Sequence, residues 1–153
     1  MIRARDLEVA TVWDLVLDGA TNFIDYYPGN EYVDWWGLDA FETVHFTDAI
    51  GTGFLASASA HNKPVMIGEC FPRHIGVLNG QQSWNDWFAP FFAFIHTNPQ
   101  LKSFNYRNMD AAAQIFPSDW GDGRLQQNAI VGIIETSSIH TSPVPPKQAE
   151  AKG

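Results

Sequence analysis

The stretch KPVMIGECFPR, Lys63 to Arg73, decides the fold. Pro64 opens it, Val65, Met66 and Ile67 form an apolar run, and Gly68 then hands over to Glu69 beside Cys70. A strand of a parallel sheet is covered on both faces and is expected to be continuously apolar, with proline tolerated at its first residue. Glu69 therefore falls at the carboxyl end of a strand. In barrels of alternating strands and helices, catalytic side chains are found at that end. A carboxylate there also has a plainer use, capping the next turn or meeting water, and the stretch alone leaves both open.

Upstream, Glu8 to Trp13 reads as a short strand, and Asp14 to Gly29 as a long connection in which DLVLDG and FIDYY can hold a helical turn. YYPGN is a turn signal. Tyr32 to Leu38 is rich in strand formers, with Gly37 marking a place where bulk is not tolerated. The small-residue segment Thr47 to Ala60 is expected to be helical and to lead into the strand at Pro64. Downstream, the Ser83 hydroxyl is expected to cap a helix through WNDWFAPFFAFIHT, with Pro90 bending it or marking its first turn. Leu101 to Tyr106 follows as a strand, and RLQQNAIVGIIE from Arg124 as the last helix. The proline-broken, then small and polar segment 142–153 reads as a disordered tail after a single domain over 1–141.

Strands alternating with helices mean an α/β fold with parallel strands and right-handed crossovers. A full (β/α)8 barrel needs roughly 250 residues and rarely fewer than about 200, more than the 153 here. The pattern leaves a small open α/β sheet or half of a barrel.

Composition narrows the partners. With 45% apolar and 14% aromatic residues the chain can bury a sizeable core. Seventeen Asp plus Glu against nine Lys plus Arg give a formal net charge of −8, which repels nucleic acid and anionic lipid over most approaches. Nucleic acid is not an expected partner. The one cysteine, Cys70, excludes an intrachain disulfide. His45, His61, His74, His96 and His140 lack metal-ligand spacing, so neither a metal nor a cofactor is expected. No apolar run reaches the ~20 residues of a membrane span. The amino terminus lacks the ~7–15-residue apolar core of a secretory signal, and the chain is expected to be soluble without a visible export address.

Four segments carry a family likeness: YYPGNEYVDWWGLDAF at Tyr26 to Phe41, KPVMIGECFPR, SWNDWFAPFFAFIHTNPQLKSFNY at Ser83 to Tyr106, and WGDGRLQQN at Trp120 to Asn128. In that order and spacing they resemble the carboxyl-terminal half of glycoside hydrolase family 26, the β-mannanase-like enzymes. The resemblance implies four βα units forming the C-terminal half of a (β/α)8 TIM barrel. It also implies retaining cleavage of a β-linked polysaccharide or oligosaccharide by two glutamates. The nucleophile of such enzymes follows the seventh strand, which matches Glu69. The acid/base glutamate follows the fourth strand, in a half without a counterpart here. The resemblance therefore points to a partial or split hydrolase completed by a missing N-terminal half. A non-catalytic half-barrel that self-associates, as a homodimer for instance, or binds carbohydrate is the alternative.

Of the remaining glutamates only Glu42 lies near the correct rim, and the resemblance gives it no role. Indole and phenyl faces suit sugar rings, so Trp13 and Phe41, expected at strand ends, are candidate sugar contacts. Trp35 and Trp36 point to opposite faces of one strand, and Trp84 and Trp87 are expected to pack a helix on the sheet. Arg73 could fold back to keep Glu69 charged, or be solvated. His74 is the histidine placed to approach the cleft. Asp39 either accepts a hydrogen bond near Glu69 or caps the next loop. Tyr106 and Asp110 belong to YRNMDAAA, where family members continue with a segment of the type YINWDW, and two expected tryptophans are Met109 and Ala111. Asp110 is polar lining or a loop cap. Trp120, Asp122 and Arg124 are expected to lock the last loop.

Overall fold

The computed structural model describes residues 9–17, 22–113 and 118–132. Strands β1 (Val12–Val16), β2 (Trp35–Ala40), β3 (Val65–Cys70) and β4 (Leu101–Tyr106) form one parallel sheet in the order β1-β2-β3-β4. The α/β expectation is met. Each connection moves the chain to the neighbouring position, and crossovers of one hand then fall on one side of the sheet.

The two faces differ accordingly. Trp13 and Leu15, Trp36, Leu38 and Ala40, Val65, Ile67 and Cys70, and Leu101, Phe104 and Tyr106 all belong to one apolar cluster. Asp14, Val16, Ser103 and Asn105, which alternate with them, are exposed.

The first strand begins at Val12 rather than Glu8, which lies outside the described residues. Its pairing starts where Thr11 is tied across: the carbonyl of Thr11 accepts the N–H groups of Asp34 and Trp35, and the Asp34 carboxylate accepts the Thr11 N–H at 2.9 Å. Strand β2 begins at Trp35 rather than Tyr32, because Tyr32 closes a turn onto the Gly29 carbonyl. The Lys63 ammonium braces that turn by donating to the carbonyls of Asn30 and Val33.

A short turn of helix, α1 (Val44–Thr47), precedes α2 (Ala49–Ala60). Gly51, Phe54, Leu55 and Ala58 are the buried residues of α2, the spacing of a single helical stripe. Phe54 reaches the centre of an aromatic knot: Trp36 lies 5.1 Å from its ring and 4.8 Å from each of Trp13 and Tyr27. Trp36 is fully buried.

The next helix departs from expectation at its start. It runs as α3 (Gln81–Ser83), a π-helical stretch (Trp84–Phe88) and α4 (Ala89–Thr97), and it opens after Gly80, whose φ of 58° suits glycine. Ser83 is inside it, its hydroxyl buried and unpaired, so it is no cap. Pro90 explains the widened stretch, because it brings no N–H and its ring presses on the carbonyl four residues back. That carbonyl, of Asp86, receives the Thr43 hydroxyl at 3.0 Å. Trp87, also fully buried, donates its indole N–H to the Phe41 carbonyl.

Beyond Arg124 there is a 3-10 turn (Leu125–Gln127) and a short α5 (Ala129–Gly132), where one continuous helix was expected. Asn128 interrupts it by an extended backbone, its side-chain oxygen accepting the Ile130 N–H. The expected tail at 142–153 lies outside the described residues, among which no helix is long and apolar enough to cross a membrane.

Trp36→Ala empties the centre of the aromatic knot. The expected loss is about 3–5 kcal/mol of unfolding free energy, measured by urea denaturation.

Candidate functional site

Strict alternation along β3 would put Val65 and Ile67 toward the helices, Met66 and Gly68 away from them, and Glu69 back among the helices. The structure avoids this with an irregularity in the pairing. Leu38 of β2 is opposite Ile67, but the next residue, Asp39, is opposite Glu69, so Gly68 is an extra residue. Such a bulge reverses which side the following residue faces. Glu69 thereby joins Asp39 on the face away from the helices, and Cys70 turns into the core beside Ala40. Burial pushes the Cys70 thiol well up, and its S–H donates to the Asn105 carbonyl, so it stays protonated and takes no nucleophilic role.

Two residues missed from the sequence complete the group. Asp14, in the middle of β1, is paired in register with Gly37, and its carboxylate lies over Gly37 and Gly68. A β-carbon at either glycine would collide with it. Arg107, just past β4, is fixed by its backbone N–H to the Cys70 carbonyl. Its Nη1 donates to Glu69 Oε2 at 2.6 Å, a charge-assisted bond. An acidic residue interrupting an apolar strand and an arginine immediately after one were the signals available in the sequence.

Electrostatics separates the carboxyls. Burial raises Asp39 to about 6, and the like charges of Asp14 and Glu69 add to that, against an opposing hydrogen bond from the Glu69 backbone. Its Oδ1 is buried without a partner. Asp14 is also raised, first by desolvation where its carboxylate presses on the sheet and then by Glu69, against a hydrogen bond from the Leu15 backbone. Glu69 is the one carrying a guanidinium. A carboxylate so paired, on the open face at the strand ends, is suited to acting as nucleophile or base.

The other expected contacts are elsewhere. Arg73 does not reach Glu69; it pairs with Glu42 at 3.1 Å and lies 4.9 Å over the Trp120 ring. His74, at a left-handed φ of 65°, stands between Glu42 and Asp119. Trp13 is the second residue of β1 rather than its end, and packs in the aromatic knot on the helix side. Phe41 is buried with Phe71 and Ala111, and with Met109 and Trp120 against them, in a second small core. Tyr106 also faces the helices; its buried hydroxyl, pushed far up by desolvation, donates to the Gly123 carbonyl at 2.6 Å. Asp110 accepts the Ala113 N–H and pairs with Arg124, which also holds Asp122 at 2.7 Å. The hydrogen bonds from Arg124 keep the Asp122 carboxyl low. These last contacts fasten the loop after β4, the structural use expected of Asp122 and Arg124. Among the described residues, no group of three or more His, Cys, Asp or Glu side chains could hold a metal ion.

Asp39 also sets a pH dependence. A carboxyl raised in the folded state binds its proton more tightly there than in the unfolded chain, so its stabilising effect is complete at low pH and is lost as pH rises through about 6. Removing it should raise stability on the alkaline side. Comparing urea unfolding at pH 5 and 7.5, Asp39→Asn is expected to gain about 0.5–1 kcal/mol on the parent chain at the higher pH relative to the lower, the linkage over this interval being reduced by solvent screening.

No family model matches the chain. Two curated relatives are a β-1,3-xylanase of an Alcaligenes species and the β-1,3-xylanase TXYA of a Vibrio species. Each is 31% identical over 125 residues, covering 66% of this chain and 27% of the relative. The chain thus spans about a quarter of the length of the curated relatives it matches. This likeness relates it to carbohydrate-active glycoside hydrolases.

Proposed function

We propose that the chain forms the carboxyl-terminal half of a (β/α)8 barrel in a retaining glycoside hydrolase that cleaves a β-linked polysaccharide. Glu69 is the nucleophile, and the acid/base carboxyl comes from an amino-terminal half. The observation that carries this reading is the bulge at Gly68, which turns Glu69 onto the open face at the carboxyl ends of the strands, 2.6 Å from Arg107.

In such a reaction the Glu69 oxygen attacks the anomeric carbon while the glycosidic bond breaks, and the leaving oxygen takes a proton from the acid. Water then attacks the glycosyl ester, giving its proton to the same group. The acid must face Glu69 across the bond at about 5–5.5 Å. Asp14 and Asp39 stand beside Glu69 on adjacent strands of the same wall, so the donor belongs on the opposite one. The family resemblance favours β-mannan as the polymer, and the names of the relatives favour β-1,3-xylan. The second has measured sequence identity behind it, and we place it first.

One observation favours a second reading, a half-barrel that self-associates or binds carbohydrate without cleaving it. Met109 and Ala111, where sugar-stacking tryptophans were expected, are packed into the small core around Phe41. A homodimer would close eight strands but would bring two copies of Glu69 and no facing donor.

Release of reducing ends from β-1,3-xylan and β-mannan separates these readings, assayed with the full chain alone and mixed with the amino-terminal half of a β-1,3-xylanase relative. Hydrolysis is expected in the mixture, falling on the order of a thousandfold or more in Glu69→Gln. Equal rates for the parent chain and Glu69→Gln would remove Glu69 from the chemistry, and sugar binding without any hydrolysis would favour the second reading.

A further inference from the structure

We propose that Asn105 and Arg107 are positioning residues of the Glu69 site, which together fix the backbone around Glu69 and one of its carboxylate oxygens, leaving Oε1 to attack the anomeric carbon. This rests on the glycosidase reading of Glu69.

The first ground is the backbone. Gly68 is out of step with both neighbours of β3. Leu38 and Asp39 are consecutive where β3 goes from Ile67 to Glu69, and Phe104 to Tyr106 is two steps where β3 takes three, from Ile67 to Cys70. A bulge breaks the ladder locally, and here it does so on both edges of one strand. Bonds shared with the β4 side hold the irregular stretch. The Asn105 carboxamide donates to the Gly68 carbonyl at 3.2 Å, the Arg107 backbone N–H donates to the Cys70 carbonyl at 3.0 Å, and the Cys70 thiol donates to the Asn105 carbonyl at 3.4 Å. The residues before and after Glu69 are thus both tied to one short stretch of chain, 105–107. Asn105 is exposed, so its carboxamide is not there to fill the core.

The second ground is the carboxylate. Arg107 Nη1 donates to Glu69 Oε2 at 2.6 Å, whereas Oε1 accepts no hydrogen bond among the described residues. The Glu69 side chain is 42% exposed, which leaves it room to turn if the guanidinium were absent. A nucleophile has to lie in line with the bond it breaks, and each rotamer that points elsewhere lowers the rate. A charge-assisted bond to one oxygen selects among the rotamers and leaves the other oxygen for the sugar. Asn105 acts on the residue before Glu69, and Arg107 on the far end of its side chain.

Two measurements on the full chain test this. The first needs no substrate: three-bond couplings in the 13C,15N-labelled protein report whether the Glu69 side chain holds one rotamer. One rotamer is expected in the parent chain, and averaging in Arg107→Met and Asn105→Leu. Arg107→Lys should keep part of the preference, and Lys102→Met, an exposed change of equal charge on the same strand, should keep all of it. Averaged couplings in the parent chain overturn the proposal even where a variant fails to fold, and so does a single rotamer in both folded variants. The second is adduct formation on a 2,4-dinitrophenyl 2-fluoro-β-1,3-xylobioside, followed by intact mass, with the chain alone and mixed with the amino-terminal half of a β-1,3-xylanase relative. The Glu69 oxygen bonds to the anomeric carbon as the bond to the phenolate oxygen breaks, and the phenolate leaves with the electron pair, so no acid is required. Arg107→Met is expected to slow the maximal rate of adduct formation roughly ten- to a hundredfold with the half-saturating concentration kept within about twofold, and Arg107→Lys to recover part of the rate. A rate unchanged in folded Arg107→Met overturns the proposal. The two readings fail separately. A Glu69 rotamer released by both variants, with no adduct on the parent chain alone or in the mixture, sinks the glycosidase reading and keeps the clamp, whereas an adduct on Glu69 whose rate ignores Arg107 does the reverse.

Discussion

One extra residue in one strand decides which side of the sheet Glu69 and Cys70 face. Without Gly68 out of step, the period of two along β3 would carry Glu69 into the aromatic layer beneath the sheet and Cys70 onto the open face. An unpaired carboxylate there would meet Phe and Trp rings and lose its charge or the fold. With the bulge, the small thiol goes into the core and the carboxylate out to Arg107. Glycine suits the position by leaving room for Asp14.

The covered face is what makes such an irregularity tolerable. Trp36, Trp87, Phe46, Phe54, Phe88 and Phe91 are all buried to within a few per cent, and their rings meet edge-on, tilted or offset at 4.6–5.7 Å where they touch. Aromatic packing of this kind is rigid and supplies large apolar area per residue. It fixes the strands from below, so that the loops above their carboxyl ends are free to differ. Those loops are then joined to one another: Arg73 and His74 after β3 reach Glu42 after β2, and His74 also reaches Asp119 after β4.

How far the sequence discloses this depends on the scale. Strand-forming runs bounded by turn residues locate β2, β3 and β4, and β4 has the expected limits, whereas only Val12 and Trp13 of β1 fall within its expected range. The ends of β1 and β2 are less legible, because Thr11 and Lys63 set them through side-chain bonds to residues more than twenty positions away. Glu69 stands out as a carboxylate after an apolar run. Its partner does not: Arg73 is close in sequence and Arg107 far, and the sheet reverses that order by pairing β4 with β3. The expected sugar platforms fail for the same reason. Trp13, Phe41 and Tyr106 are aromatic residues near strand ends, but parity along each strand and the burial of Phe41 under Trp120 decide where they face.

The open face finally constrains what can lie over it. Parallel sheets are ordinarily covered on both sides, and an apolar cover would require an apolar surface beneath. Here the surface offers Asp14, Asp39, Glu69, Ser103 and Asn105, with Val12, Val16 and Met66 and two glycines among them. Burying these under another greasy layer would strand several charges, at a cost of several kcal/mol for each ion. A hydroxylated ligand and water would satisfy them instead. The acidic part of this wall suits the sugar site proposed above better than a packed interface, and under that proposal a second wall would join at the strand edges, β1 and β4, which among the described residues have a neighbouring strand on one side only.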